Sequence, residues 1–200
     1  MRFITPINMS AIPRLFKSRL LPIHVALIQV SPPDDFGWMS LGVSVDITLA
    51  AAKVADLLIM QVNPRMPRAL GDSFVHVDEI DWLVPYEEPL VEMVPAEKDN
   101  EIARRIGHFV SQLVDDGATL QIGFGHLPYA IMQYLDTKND LGLHTQLITD
   151  GLLPLFEKNV ITNKKKSLLP GRVVASLCMG SKKLYDYVDN NPAFYFRSSE

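Results

Sequence analysis

The chain has one cysteine among its 200 residues, Cys178. That excludes an intrachain disulfide framework and makes a reducing, cytoplasmic setting the expected one. Cys178 lies in the apolar run from Val173 to Met179, where a buried thiol is the plainer expectation. No apolar run approaches the roughly 20 residues of a membrane span, so no membrane association is expected. The opening stretch from Met1 to Leu21 is interrupted by Pro6, Pro13, Arg14, Lys17 and Arg19, and it lacks the apolar core of a secretory signal. An excess of basic residues is missing too. The formal net charge is −4, which points away from nucleic acid as a partner. His24, His76 and His108 are scattered and the lone cysteine supplies no ligand pair, so no metal is expected. No repeat of fixed period is visible.

What the chain does have is a hydrophobic share of 48%, enough for a sizeable core, and an alternation of strand-like and helix-like segments. Val25 to Val30 is nearly all apolar and is expected to be a buried strand. Asp34, Asp35 and Gly37 mark a turn. Ile47 to Ala55 is expected to be a helix and Asp56 to Val62 a strand ended by Asn63-Pro64. Phe74 to Val84 is expected to be mostly extended. Pro85 to Pro95, rich in Pro and Glu, is expected to be an exposed linker and a domain boundary. Beyond it, Ile102, Ile106, Phe109, Val110 and Leu113 fall on one face of a helix spanning Lys98 to Val114. Thr119 to Ile122, Leu141 to Thr149, Arg172 to Cys178 and Ala193 to Arg197 are expected to be extended. Gly151 to Lys158 and Lys182 to Val188 are expected to be helices. The pattern is that of an α/β fold with mostly parallel sheets flanked by helices. Trp38 and Trp82 are expected in the core or at an interface. Lys164-Lys165-Lys166 is expected to be a solvated turn.

The candidate site is the turn Gly123-Phe124-Gly125-His126-Leu127-Pro128, followed by the polar triplet His144-Thr145-Gln146 and by Asp150-Gly151. Glycines let a ligand approach the backbone. A polar triplet at a strand end is where open α/β sheets keep their chemistry. Each residue also has a plainer role. Gly123 and Gly125 could form only a tight turn, His126 could face solvent, His144 could be a satisfied structural histidine, and Thr145 could be simply a β-branched strand residue.

These residues resemble the acetyl-CoA hydrolase/transferase family, class I CoA-transferases that include 4-hydroxybutyrate and butyrate–acetate CoA-transferases. The likeness extends through Ile12-Pro13-Arg14-Leu15-Phe16, Val25 to Pro33, Ser40 to Asp46, Gly71-Asp72-Ser73-Phe74, Val160 to Lys166, Met179 to Asp186 and Val188 to Pro192. The resemblance implies a ribose-isomerase-like CoA-transferase fold, incomplete here. Residues 1–95 would be the later part of its first domain, and residues 96–200 the first half of its second, carrying the active-site turn. It implies acyl-CoA and small carboxylic acids as substrates, with no bound cofactor beyond coenzyme A itself. In the family a glutamate attacks the acyl-CoA thioester to form an anhydride. The released CoA thiolate attacks that anhydride and leaves a glutamyl-CoA thioester, from which an incoming acid takes the CoA.

Gln146 stands where that glutamate would be. It keeps the reach and hydrogen bonding of Glu and loses the charge. Three readings remain open: a natural loss in a non-catalytic relative, a substitution introduced to hold a bound acyl-CoA, or a different carboxylate such as Asp150 acting in its place. Gly123, Phe124, Gly125, His126 and Leu127 would border the CoA or acyl site. His144, Thr145 and Asp150 would support position 146. Hydrolysis with water as acceptor is a further reading and needs a general base, for which Asp150 and His144 are the nearby candidates. A chain ending at Glu200 within the second domain is expected to leave a sheet edge and apolar surface uncovered, so a homo-oligomer or a partner chain is expected to complete it.

Overall fold

The computed structural model describes residues 4–93 and 100–200. Short helix α1 (Ile12–Lys17) begins with a proline in its first turn, where no backbone N–H is needed. Strand β1 (Val25–Val30) leads into a turn held by Asp34, whose carboxylate accepts the N–H groups of Phe36 at 3.0 Å and Trp38 at 2.8 Å. Strand β2 (Trp38–Ser40) follows. Asp46 accepts from both the N–H and the hydroxyl of Thr48 and starts helix α2 (Thr48–Val54). The chain returns through β3 (Leu57–Val62), which runs parallel to β1 from Val25↔Leu57 to Val30↔Val62. Strand β4 (Phe74–His76) pairs antiparallel with β2, and β5 (Trp82–Pro85) lies parallel to β3.

The remainder opens with α3 (Glu101–Gln112), whose first turn is capped by the Asn100 side chain accepting from Ala103 N–H at 3.1 Å. Then come β6 (Thr119–Leu120), α4 (His126–Met132), β7 (Gly142–Leu143), β8 (Leu147–Ile148), α5 (Leu153–Glu157), β9 (Val173–Ala175), β10 (Leu177–Cys178), α6 (Lys182–Val188) and β11 (Phe194–Phe196). The pairs β6–β7, β8–β10 and β9–β11 are all parallel. Single bridges at His144↔Val174 and Gly71↔Phe196 join β6, β7, β9, β11 and the Gly71 turn into one row. Val30, Met39, Leu41, Leu143, Ile148, Val173, Phe194 and Phe196 share one core. Backbone bonds from Cys178 N–H to Val43 O at 2.8 Å and from Phe196 N–H to Leu70 O at 2.7 Å lock the earlier segment to the later one. Among the described residues no helix is long and apolar enough to cross a membrane.

The fold is mixed α/β with mostly parallel strands, and several local expectations change. β1 is buried on one face only: Ala26 and Val30 point inward while Val25 and Leu27 are exposed. Trp38 and Trp82 lie at the surface, Trp82 with 64% of its area exposed. The proline-rich stretch is strapped down over 85–93. Glu88 accepts from Gln61 and Gln29, Tyr185 Oη donates to Val91 O at 2.8 Å, and Met93 N–H donates to Gly180 O at 3.0 Å. The rest of that expected linker and boundary, 94–99, lies outside the described residues.

Helix α3 turns the other way from its apolar stripe. Ile102 is 70%, Phe109 59% and Leu113 83% exposed, while Ala103, Gly107 and Ser111 are buried. Small residues four apart let α3 approach α4 closely. A Cβ on Gly107 would stand 2.7 Å from Ala130 O. Lys166, finally, is not part of a solvated turn: its side chain is buried.

Candidate active site

The site lies where two strands break. The extended segments Leu141 to Thr149 and Arg172 to Cys178 are each split, into β7 and β8 and into β9 and β10. At the break the N–H groups of both Ser176 and Leu177 donate to Gln146 O, at 3.0 and 2.9 Å. Two residues against one is the arrangement of a bulge, which re-aims side chains where it occurs. From Leu143 to Gln146 buried and exposed residues alternate. His144 and Gln146 face outward, and Thr145 faces in.

Thr145 uses its inward position to hold the glycine turn. Its hydroxyl donates to Ile122 O at 2.8 Å and accepts from Ile122 N–H at 3.1 Å. One side chain thus satisfies both backbone groups of the residue before Gly123, where β6 has already ended. The turn then bends at Gly125, whose φ of +125° and ψ of −176° only glycine adopts without strain. Space around it is open, with no atom within 4 Å of where a Cβ would stand.

The result is a cavity of about 240 Å³ lined by Gln121, Ile122, Gly123, Phe124, Gln146, Leu147, Leu177 and Met179. It brings Gly123, Phe124 and Gln146 together across a sequence gap of more than twenty residues. Gly125, His126 and Leu127 are exposed beside it without lining it. The Gln146 side-chain amide reaches Met9 Sδ at 2.7 Å, which sets the turn Met9–Ala11 against the polar group of the site. Gln121, Leu147, Leu177, Met179 and Met9 were not among the residues expected from sequence. Leu177 and Met179 sit at the end of β10, beside β8, so the strand-end rule that flagged the triplet also applied to them.

His144 and Asp150 do not line the cavity. His144 N–H donates to Leu120 O at 2.9 Å. Partial desolvation lowers the pKa of its imidazole below the usual histidine value, and the charges of Lys166 and Arg197 add to this. Asp150 is committed elsewhere. One carboxylate oxygen accepts from Ser181 N–H at 2.8 Å and the other from the Ser181 hydroxyl, at the start of α6. A second hollow, of about 280 Å³, lies between Pro64–Pro67 and α6, but its charged groups pair with one another or with near neighbours, Lys182 with Asp186 and Arg65 with Glu87.

Mostly parallel strands, with an open cavity at strand ends walled by a glycine turn and the side chains of Gln121 and Gln146, give the layout of the open-sheet α/β class, whose ligand sites lie at strand ends. Residues 3–95 match the acetyl-CoA hydrolase/transferase N-terminal domain. The chain belongs to the acetyl-CoA hydrolase/transferase family. It is 49% identical over 188 residues to the 4-hydroxybutyrate coenzyme A transferase of Clostridium kluyveri, covering 94% of this chain and 44% of that protein. Against a succinyl-CoA:acetate/propanoyl-CoA:succinate CoA transferase of Fasciola hepatica the identity is 41%, over 94% of this chain and 39% of that one. The crystal structure of 4-hydroxybutyrate CoA-transferase from Porphyromonas gingivalis superposes with a TM-score of 0.93 at 38% identity, covering 98% of this chain and 50% of the other. The chain thus spans less than half the length of the curated relatives it matches.

Proposed function

We propose that the cavity at Gln146 is an acyl-CoA thioester site of the CoA-transferase type, with position 146 as the place of covalent attack. The observation that carries this reading is that Gln146 shares one cavity with Gly123 and Phe124 of the glycine turn. With a glutamate at 146, its carboxylate would attack the thioester carbonyl and release CoA thiolate. The thiolate would attack the glutamyl carbonyl of the resulting anhydride and release the first acid. A second small carboxylic acid would then reverse these steps and leave as its CoA thioester. With Gln146 the chain binds acyl-CoA and does not turn it over, because a neutral amide is a poor nucleophile. Both oxygens of Asp150 are held by Ser181, and His144 lies outside the cavity, which favours transfer over a hydrolysis that needs a general base there. On this reading 1–95 and 96–200 belong to successive CoA-transferase domains.

Isothermal calorimetry with acetyl-CoA tests the binding half of the proposal. Saturable binding is expected for the chain and for a Phe124→Ala variant, about tenfold weaker in the variant. No binding at millimolar acetyl-CoA would contradict it.

The exposed stripe of Ile102, Phe109 and Leu113 on α3 supports the further reading that a second copy or another chain covers this face. Size-exclusion chromatography with light scattering is expected to show an assembly larger than one chain, and a Phe109→Glu, Leu113→Glu double variant is expected to elute as a monomer. A sharp monomer peak for the unmodified chain would count against it.

A further inference from the structure

The loop after Ile161 grips Leu143 by both of its backbone groups. Leu143 N–H donates to Asn163 Oδ1 at 2.8 Å, and Lys166 Nζ donates to Leu143 O at 2.8 Å. The same ammonium donates to Arg172 O at 2.6 Å. One side chain therefore ties the end of β7 to the residue before β9, immediately ahead of His144-Thr145-Gln146.

The grip is built in. Asn163 is 3% and Lys166 5% exposed. Asn163 sits at φ +59°, and its carbonyl accepts Gly171 N–H at 2.9 Å, closing the loop on itself. The lysine stem passes over Gly142, where a Cβ would stand 2.5 Å from Lys166 Cγ. Among the described residues its hydrogen-bond partners are main-chain carbonyls, and no carboxylate is among them. Burying an ammonium with no counter-charge is costly, and a methionine would fill the same space without that cost. What the lysine adds is a pair of charge-assisted bonds to two strands at once.

We propose that Lys166, together with Asn163, is a positioning residue of this site, fixing Leu143 so that the residue at 146 is aimed into the cavity. The link to catalysis rests on the function proposed above; the link to the geometry of residues 143–146 does not. Titratable and charged groups at this corner are His144 after β7; Arg172 before β9; Arg197 after β11, whose charge acts on His144; Lys164 and Lys165 on the loop itself; and Asp140 before β7, which pairs with Lys165. Burial brings Lys166 down to about 8, so its charge is lost within an accessible pH range. The neutral amine keeps N–H donors but loses the charge assistance. An unfolded lysine titrates at 10.5, so unfolding takes up a proton between about pH 8 and that value, and this residue's contribution to stability rises with pH across the window.

The test is an NMR titration of the ¹⁵N-labelled protein from about pH 6 to about pH 10, following the amides of Leu143, Thr145 and Gln146. They are expected to shift together with a midpoint near 8. Lys166→Met removes that step and raises the His144 midpoint, since a positive neighbour has gone. Lys165→Met, at an exposed and paired side chain, leaves both unchanged. No step in the unmodified protein, or a step that persists in Lys166→Met, overturns the proposal. If Lys166→Met does not fold, the titration of the unmodified protein decides alone. In a Gln146→Glu background, Lys166→Met is expected to lower kcat about tenfold with KM little changed. A Gln146→Glu protein that shows the titration step but no acyl exchange would sink the proposed function and leave the positioning role standing.

Discussion

Gln146→Glu is expected to raise the rate of acyl exchange between acetyl-CoA and a small carboxylic acid by at least about a thousandfold over the unmodified chain. The two side chains have the same length and branching, so the change replaces an amide by a carboxylate at a fixed place. Nothing that holds the position depends on the side chain. Gln146 O accepts from Ser176 and Leu177, and Thr145 N–H donates to Val174 O at 2.9 Å, all through the main chain. The side chain itself is exposed, with Met9 Sδ as its contact. Thermal stability should therefore move by no more than about 0.5 kcal/mol. An exchange assay paired with a melting curve checks both halves of this expectation. A large loss of stability on substitution would show that Gln146 has a structural role the geometry does not reveal.

Gly180→Ala is expected to destabilise the chain by about 3 kcal/mol, which lowers Tm by about 6–12 °C for a protein of this size. A Cβ at this position would stand 2.1 Å from Asp150 Oδ2 and 2.7 Å from Leu184 Cδ2. Leu184 is fully buried, and both Asp150 oxygens bond to Ser181. Relief of the clash must therefore either push α6 off the core or break the Asp150–Ser181 bonds, leaving a half-buried carboxylate without its donors. Gly171→Ala carries the opposite kind of cost, backbone strain without a clash. Its φ is +77° and no atom lies within 4 Å of its Cβ position, so it carries only the backbone cost of about 1 kcal/mol. Differential scanning calorimetry on the two variants separates the terms. A Gly180→Ala loss near zero would mean that the close approach at Gly180 relaxes freely.

The sequence marked some of this architecture well and some of it badly, for identifiable reasons. α2, α6, β1 and β3 lie where the pattern put them because each is a short run between clear breakers. The glycine turn and Gln146 converge because both follow strands that are parallel neighbours, β6 and β7, so their ends share one edge of the sheet. α3 is the instructive reversal. Periodicity correctly gave a helix, but the buried face is set by Ala103, Gly107 and Ser111, whose small side chains permit close helix packing that a hydrophobic pattern does not register. Lys166 is the other. A run of three lysines reads as solvated, and the carbonyls of Leu143 and Arg172 that accept its bonds carry no mark in the amino-acid code. The single extended segments became broken pairs of strands because the two-against-one pairing at Gln146 depends on how Ser176 and Leu177 meet it, which is a property of the sheet and not of either segment.

The most direct measurement is intact-protein mass spectrometry after incubation with acetyl-CoA, on the unmodified chain and on Gln146→Glu, followed by peptide mapping. The account predicts a CoA-sized adduct on the Glu variant alone, carried by the peptide that contains position 146 and removed by an added carboxylic acid. An adduct on both proteins, mapped to Asp150 or another carboxylate, or no adduct on either, would contradict it.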